Sequence, residues 1–141
     1  MKPFLLDVNV LVALLWPPHI HHVVAKQWFD RNSQAGLRTC PITQAGCVRI
    51  LSNRRYSPDH YSVSDAAGLV SEFTKLPEHE FWPDDLNVSQ AFSLIGGISG
   101  HQQVTDAYLA ALAISHGGVL ATLDRGLLAL TEAKGSVELI S

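Results

Sequence analysis

Cysteine is nearly absent: Cys40 and Cys47 are the only two in 141 residues, and their spacing matches neither a CxxC redox pair nor a zinc-finger half-site. A disulfide framework is not the organising device, and reduced thiols in a cytoplasm are the expectation. Long apolar runs are missing as well. No stretch reaches the roughly 18 uninterrupted apolar residues that a membrane span needs. The opening apolar run is cut by Asp7 and Asn9 and followed by Trp16-Pro17-Pro18, not by a small-residue cleavage site, so no export signal is expected. Positive charge is scarce too: ten Lys and Arg against thirteen Asp and Glu leave a formal net charge of −3. That balance excludes a protein that holds nucleic acid by blanket neutralisation of phosphates, so a polyanion would need a local site. There is no internal repeat and no low-complexity tail.

What is present is an ordinary globular composition, 47% apolar and 16% charged, at a length suited to one domain spanning residues 1–141. Residues 3–8 read as a short buried strand and Val10 to Trp16 as a helix stopped by Pro17-Pro18. Ile20, Val24 and Trp28 at helical spacing predict a helix over 20–32. Arg38 to Ile42 is a second strand, with a helix from Thr43 to about Ser52. The loop Asn53 to Pro58 follows, then a capping box over Ser62-Val63-Ser64-Asp65 ahead of a helix that ends before Pro77. Glu80-Phe81-Trp82 is a third strand, Val88 to Leu94 a helix, and Gly96 to Gly100 a loop. Val104 to Ser115 is apolar on nearly every face and reads as a buried helix ended by Gly117-Gly118. Val119 to Thr122 is a fourth strand, Asp124 to Thr131 a helix and Val137 to Ile140 a fifth strand. Strands alternating with helices imply an α/β fold whose sheet is mostly parallel, with helices on both faces.

The polar residues inside the apolar segments carry the chemistry. Asp7 follows Phe4-Leu5-Leu6, and Asp124 follows Val119-Leu120-Ala121-Thr122-Leu123, so both stand at the carboxyl ends of buried strands. In open α/β sheets ligands bind in the crevice beyond those ends. Asp106 opens the buried helix that leads into strand four, where the helix dipole tolerates a carboxylate. Each acid alone reads as structural, Asp124 for instance as a cap for the helix that follows it. Three acids converging on one sheet edge would repel one another without a cation, and hard oxygen ligands of this kind suit Mg²⁺ or Mn²⁺.

The segments Leu5-Leu6-Asp7-Val8-Asn9-Val10-Leu11, Thr43-Gln44-Ala45-Gly46-Cys47-Val48-Arg49-Ile50-Leu51, Phe81-Trp82-Pro83-Asp84-Asp85, Val104-Thr105-Asp106-Ala107-Tyr108-Leu109 and Leu120-Ala121-Thr122-Leu123-Asp124-Arg125-Gly126 are spread along nearly the whole length of the chain. In that order they resemble the PIN-domain ribonucleases, in particular the VapC toxins of toxin–antitoxin pairs. The resemblance implies a single PIN-like domain with a five-stranded sheet of order 3-2-1-4-5. It also implies a Mg²⁺ or Mn²⁺ site and metal-dependent cleavage of single-stranded or loop RNA to 5′-phosphate and 3′-hydroxyl products. A cognate VapB-type antitoxin and a homodimer are the partners it implies. Residue by residue, Asp7, Asp106 and Asp124 match the metal-binding acids, and Asn9 and Thr122 match polar positions beside them. Gln44 stands where many relatives carry a glutamate, which leaves three acids instead of four, and Asp85, or Asp84, is the candidate for the missing charge.

Arg49 and Arg125 are the local positive charges expected to guide RNA, Arg49 is expected also to reach the acids and offset their repulsion, and Arg54-Arg55 reads as a solvated pair. His19, His21 and His22 lack an i, i+4 pair on one helix face, which argues against a transition-metal site. Trp16, Trp28 and Trp82 offer stacking surfaces but fall largely at core positions. A second class of function, a PIN-like module that binds RNA or protein and cleaves poorly, is raised by Gln44. A phosphatase-like hydrolase is disfavoured because Asp7-Val8-Asn9 lacks the second aspartate of such loops.

Overall fold

The computed structural model describes residues 1–56, 61–96, 98, 100–130 and 135–141. At its centre is β1 (Phe4–Leu6), three buried residues with alternating directions: Phe4 and Leu6 enter one core and Leu5 the other, as the two-residue period of a strand requires. β1 pairs in parallel with β2 (Leu37–Thr39) on one side and with β4 (Val119–Thr122) on the other. β3 (His79–Phe81) and β5 (Val137–Leu139) are the edges of a five-stranded sheet of order β3-β2-β1-β4-β5. Every pairing is parallel. All five strands therefore end at one edge of the sheet, the edge toward which Asp7 and Asp124 were predicted to point.

Six α-helices among the described residues cover the two faces. On one face lie α1 (Val8–Leu15), α2 (His22–Asn32), α3 (Pro41–Leu51) and α4 (Val63–Thr74). Their Val10, Trp28, Cys47, Val70 and Phe73 pack with Phe4 and Leu6. On the other lie α5 (Val88–Leu94) and α6 (Val104–Ser115), whose Ala91, Ala107, Leu109 and Leu112 pack with Leu5 and Leu120. Residues 109–113 of α6 are all buried, as the unbroken apolar sequence predicts, and each leucine so buried contributes about 1.5–3 kcal/mol. The turn into β4 is equally tight. A Cβ on Gly118 would stand 2.6 Å from the Trp82 ring and 2.7 Å from the Pro3 carbonyl oxygen.

Several predicted boundaries move. α3 begins at Pro41 with Cys40 as its cap, where the sequence suggested strand through Ile42, because proline is favoured in a helix's first turn. α1 begins at Val8, since Asp7 is its cap, and α2 begins at His22 instead of residue 20. α4 starts at Val63, directly after its cap Ser62, whose side chain accepts from the Asp65 N–H. After Asp124 the chain forms 3₁₀ turns over Arg125–Leu130 in place of an α-helix. Parts of the predicted 53–58 and 96–100 loops, and Thr131, lie outside the described residues.

Candidate functional site

Asp7 is 5% exposed and extended, and it caps α1 by accepting the Val8 N–H on Oδ1 at 2.8 Å. Its other oxygen, Oδ2, accepts the Thr122 hydroxyl at 2.7 Å across the β1–β4 pair. Burial pushes the Asp7 carboxyl above its ordinary range; the two hydrogen bonds oppose that, and the charge of Asp124 adds to it. Thr122 is a hub. Its Oγ1 donates to Asp7 and accepts the Asp124 N–H at 3.1 Å, with the Asn9 amide nitrogen at 3.5 Å. Asn9 Oδ1 in turn accepts the Leu123 N–H at 3.3 Å. The start of α1 and the end of β4 are thereby tied together, and the predicted polar neighbours Asn9 and Thr122 stand beside Asp7.

Asp124 is exposed, and its Oδ1 accepts the Gly126 N–H at 2.8 Å, closing a tight turn after β4. Asp106 lies in the first turn of α6, half-buried. Its pKa is pushed up to about 6, first by burial and then by the charges of Asp7 and Asp124. Three carboxylates drawn from three separate parts of the chain thus come near enough for the charges of Asp7 and Asp124 to act on Asp106, and that of Asp124 on Asp7. Among the described residues, no group of three or more His, Cys, Asp or Glu side chains is placed to hold a metal ion as it stands. Asp7 and Asp124 are instead held by their own backbone and hydroxyl partners. The donor set nevertheless suits a hard divalent cation: oxygen ligands only, and repulsion that a cation removes.

Other predicted members fall elsewhere. Asp85 Oδ1 meets His116 Nε2 at 3.0 Å. His116 caps the far end of α6, ten residues or about 15 Å along the helix from Asp106, so Asp85 is not a fourth acid of this group. The chain turns back after β3 because Trp82 is drawn into the core and stacks on His116 with ring centroids 4.6 Å apart. Asp84 lies where its charge adds to the effect of burial on Cys40 and Tyr108. Arg49 is exposed on α3 and lines a groove of about 1130 Å³ between α3, α4 and β3, with Gln44, Val48, Val70 and Phe81. No ion pair among the described residues joins Arg49 to the acids, so the predicted offset of their repulsion is absent. Arg125 is exposed directly after Asp124, where sequence placed it.

Gln44 is half-buried in the first turn of α3, its Nε2 donating to Thr39 Oγ1 at 2.9 Å. The same oxygen lies 2.7 Å from His79 Nε2 on β3. The sequence gives no signal for this contact, since His79 is remote from both partners along the chain. The histidines of the α1–α2 turn are tied to backbone: His19 Nδ1 accepts the His21 N–H and His22 Nδ1 meets the Ala13 carbonyl oxygen. Trp28 donates to Glu138 and packs edge-on against Phe4, a core role.

The PIN domain family model matches residues 4–133. Ribonuclease VapC39 of Mycobacterium tuberculosis is 42% identical over 142 residues, covering 96% of this chain and 98% of that protein. Ribonuclease VapC29 of the same species is 48% identical over 123 residues, covering 87% and 86%. Among solved structures, VapBC2 from Rickettsia felis, bound to a DNA fragment from its promoter, superposes with a TM-score of 0.66 at 13% identity. That superposition covers 98% of each chain and speaks to the fold.

Proposed function

Because the chain belongs to the PIN-domain family and, within it, to the VapC ribonucleases, we propose that it is a divalent-metal-dependent endoribonuclease toxin. It acts on single-stranded or loop RNA and is neutralised by a VapB-type antitoxin. The observation that carries this reading is the group of Asp7, Asp106 and Asp124, in which two carboxyls are held above their ordinary range in part by neighbouring negative charge. Mutual repulsion of that kind is a cost unless a cation or a proton offsets it.

The three aspartates would hold Mg²⁺ or Mn²⁺, which when bound supplies positive charge for activating water and for stabilising the scissile phosphate. Asp7 is oriented for the task by Val8 and Thr122, which fix both oxygens while leaving further lone pairs. Thr122 and Asn9 hold the Asp124 segment against α1 and so set the spacing between two of the acids. Asp106, with a pKa of about 6, gives up its proton when it becomes a ligand, so cation binding and proton release are linked. In the hydrolysis, water adds to phosphorus as the bond to the ribose 3′-oxygen breaks, leaving a 5′-phosphate and a 3′-hydroxyl. Arg125, exposed beside Asp124, is the nearest cation in sequence to the site for steering the RNA backbone.

A mixed RNA pool incubated with the purified chain and Mg²⁺ or Mn²⁺ tests the reading. Cleavage that chelator and Asp7→Asn both abolish is the expected result. Equal cleavage by wild type and Asp7→Asn would sink it. Metal binding without cleavage of any RNA would favour a binding module, the second reading, which the neutral Gln44 at a usual glutamate position supports.

A further inference from the structure

Gln44, Thr39 and His79 form a hydrogen-bonded relay from α3 through β2 to β3 whose direction can be worked out. Thr39 is fully buried, and its hydroxyl has one proton to give. Gln44 Nε2 lies 2.9 Å and His79 Nε2 2.7 Å from that oxygen. The Gln44 amide nitrogen can only donate, so the Thr39 oxygen accepts from it. The Thr39 proton then has only His79 Nε2 to go to, so Nε2 is bare and the neutral ring carries its proton on Nδ1. Thr39 then donates to Nε2 and accepts from the Gln44 amide nitrogen. A Thr39 proton with no acceptor would cost about 1–3 kcal/mol in this buried place, which excludes the arrangement in which both neighbours donate. The Gln44 carbonyl oxygen is left over, with no hydrogen-bond partner among the described residues, on a side chain that lines the groove between α3 and α4.

Resting on the ribonuclease reading, we propose that Thr39 and His79 are positioning residues. They fix the Gln44 amide with its nitrogen committed to Thr39 and its oxygen free as a neutral acceptor for RNA donors, the ribose 2′-hydroxyls and base amines. A carboxylate at this position cannot donate to Thr39. It would draw the Thr39 proton to itself, and His79 Nε2 would have to take up a proton to refill the relay. The identity of residue 44 and the charge of His79 are therefore linked. The groups facing the ring set the background: burial and Arg38 disfavour its charged form, while the Thr74 carbonyl and Glu80 favour it, and Phe73 packs edge-on with ring centroids 6.0 Å apart.

Nitrogen NMR of the His79 ring in the purified full chain tests this. Wild type at pH 7 should show Nδ1 protonated and Nε2 bare. Gln44→Glu should raise the proton affinity of His79 at least about tenfold, and Gln44→Ala should leave the ring in its wild-type tautomer because Thr39 still donates. Thr39→Ser should preserve the wild-type spectrum and titration. A wild-type ring protonated on Nε2 at pH 7, or an unchanged His79 titration in Gln44→Glu, would overturn the proposal. Gln44 is only half-buried, so these variants should fold even if substitutions of the buried Thr39 do not. The readout is a ring signal, so a chain that cleaves no RNA would contradict the ribonuclease reading while the relay is still decided.

Discussion

Replacing Asp106 by asparagine should make the metal-free protein more stable. The Asp106 carboxyl rises from 3.8 in the unfolded chain to about 6 in the fold. Two units correspond to roughly 3 kcal/mol at about 1.36 kcal/mol per unit. The group is half-buried, and discounting for solvent screening leaves roughly 1–1.5 kcal/mol. The sign follows from proton counts. Between pH 3.8 and about 6 the folded state holds a proton that the unfolded chain has released, so stability falls as pH rises through that window. Above it the full penalty is in force. In chelator at pH 7.5, Asp106→Asn should melt about 3–6 °C higher than wild type, taking about 3–4 °C per kcal/mol at this chain length. Near pH 4 the difference should close, because wild-type Asp106 is then protonated as well. Excess Mn²⁺ should stabilise wild type, by about 2.7 kcal/mol at a hundredfold excess over the dissociation constant, and the variant much less. A variant that melts no higher than wild type at pH 7.5, or a difference independent of pH, would refute the reasoning.

The same proton makes cation affinity pH-dependent: below about pH 6 the Mn²⁺ association constant measured by calorimetry should fall up to about tenfold per unit. Thr122→Val removes the donor to buried Asp7 Oδ2, and leaving that acceptor unmade should cost about 1–3 kcal/mol in denaturant unfolding. Gly46→Ala puts a Cβ 2.8 Å from Val8 Cγ2, where α3 crosses α1. Relieving that contact should cost about 1–3 kcal/mol, read as a lowered melting temperature. Asp85→Asn should leave RNA cleavage unchanged, since its partner is His116 at the far end of α6.

The element order and the sheet were legible because the buried strands are short apolar runs punctuated by acids, prolines and glycines, and α6 is apolar on all sides. Local ambiguity set the errors. Cys40-Pro41-Ile42 reads as the end of a strand by apolarity, yet proline in a first turn and a Thr43 side chain that returns to the Cys40 N–H make it a helix start. The places of Asp7, Asp106 and Asp124 in the fold were readable because each is a charge in an apolar setting at a predictable end of an element. Asp85 was misplaced for a different reason. The path after β3 is decided by where Trp82 packs, a tertiary choice that the local sequence does not encode. Arg49 failed similarly, one residue past inward-facing Val48 and therefore turned to solvent. The Gln44 relay depends on a partner 35 positions away along the chain and leaves no local trace.

The most direct measurement is the anomalous signal of Mn²⁺ in crystals of the chain. The account predicts a peak within ligand distance, about 2.1–2.3 Å, of oxygens from Asp7, Asp106 and Asp124, and none at Asp85. A peak elsewhere with those three carboxylates unliganded, in a protein that still cleaves RNA, would contradict it.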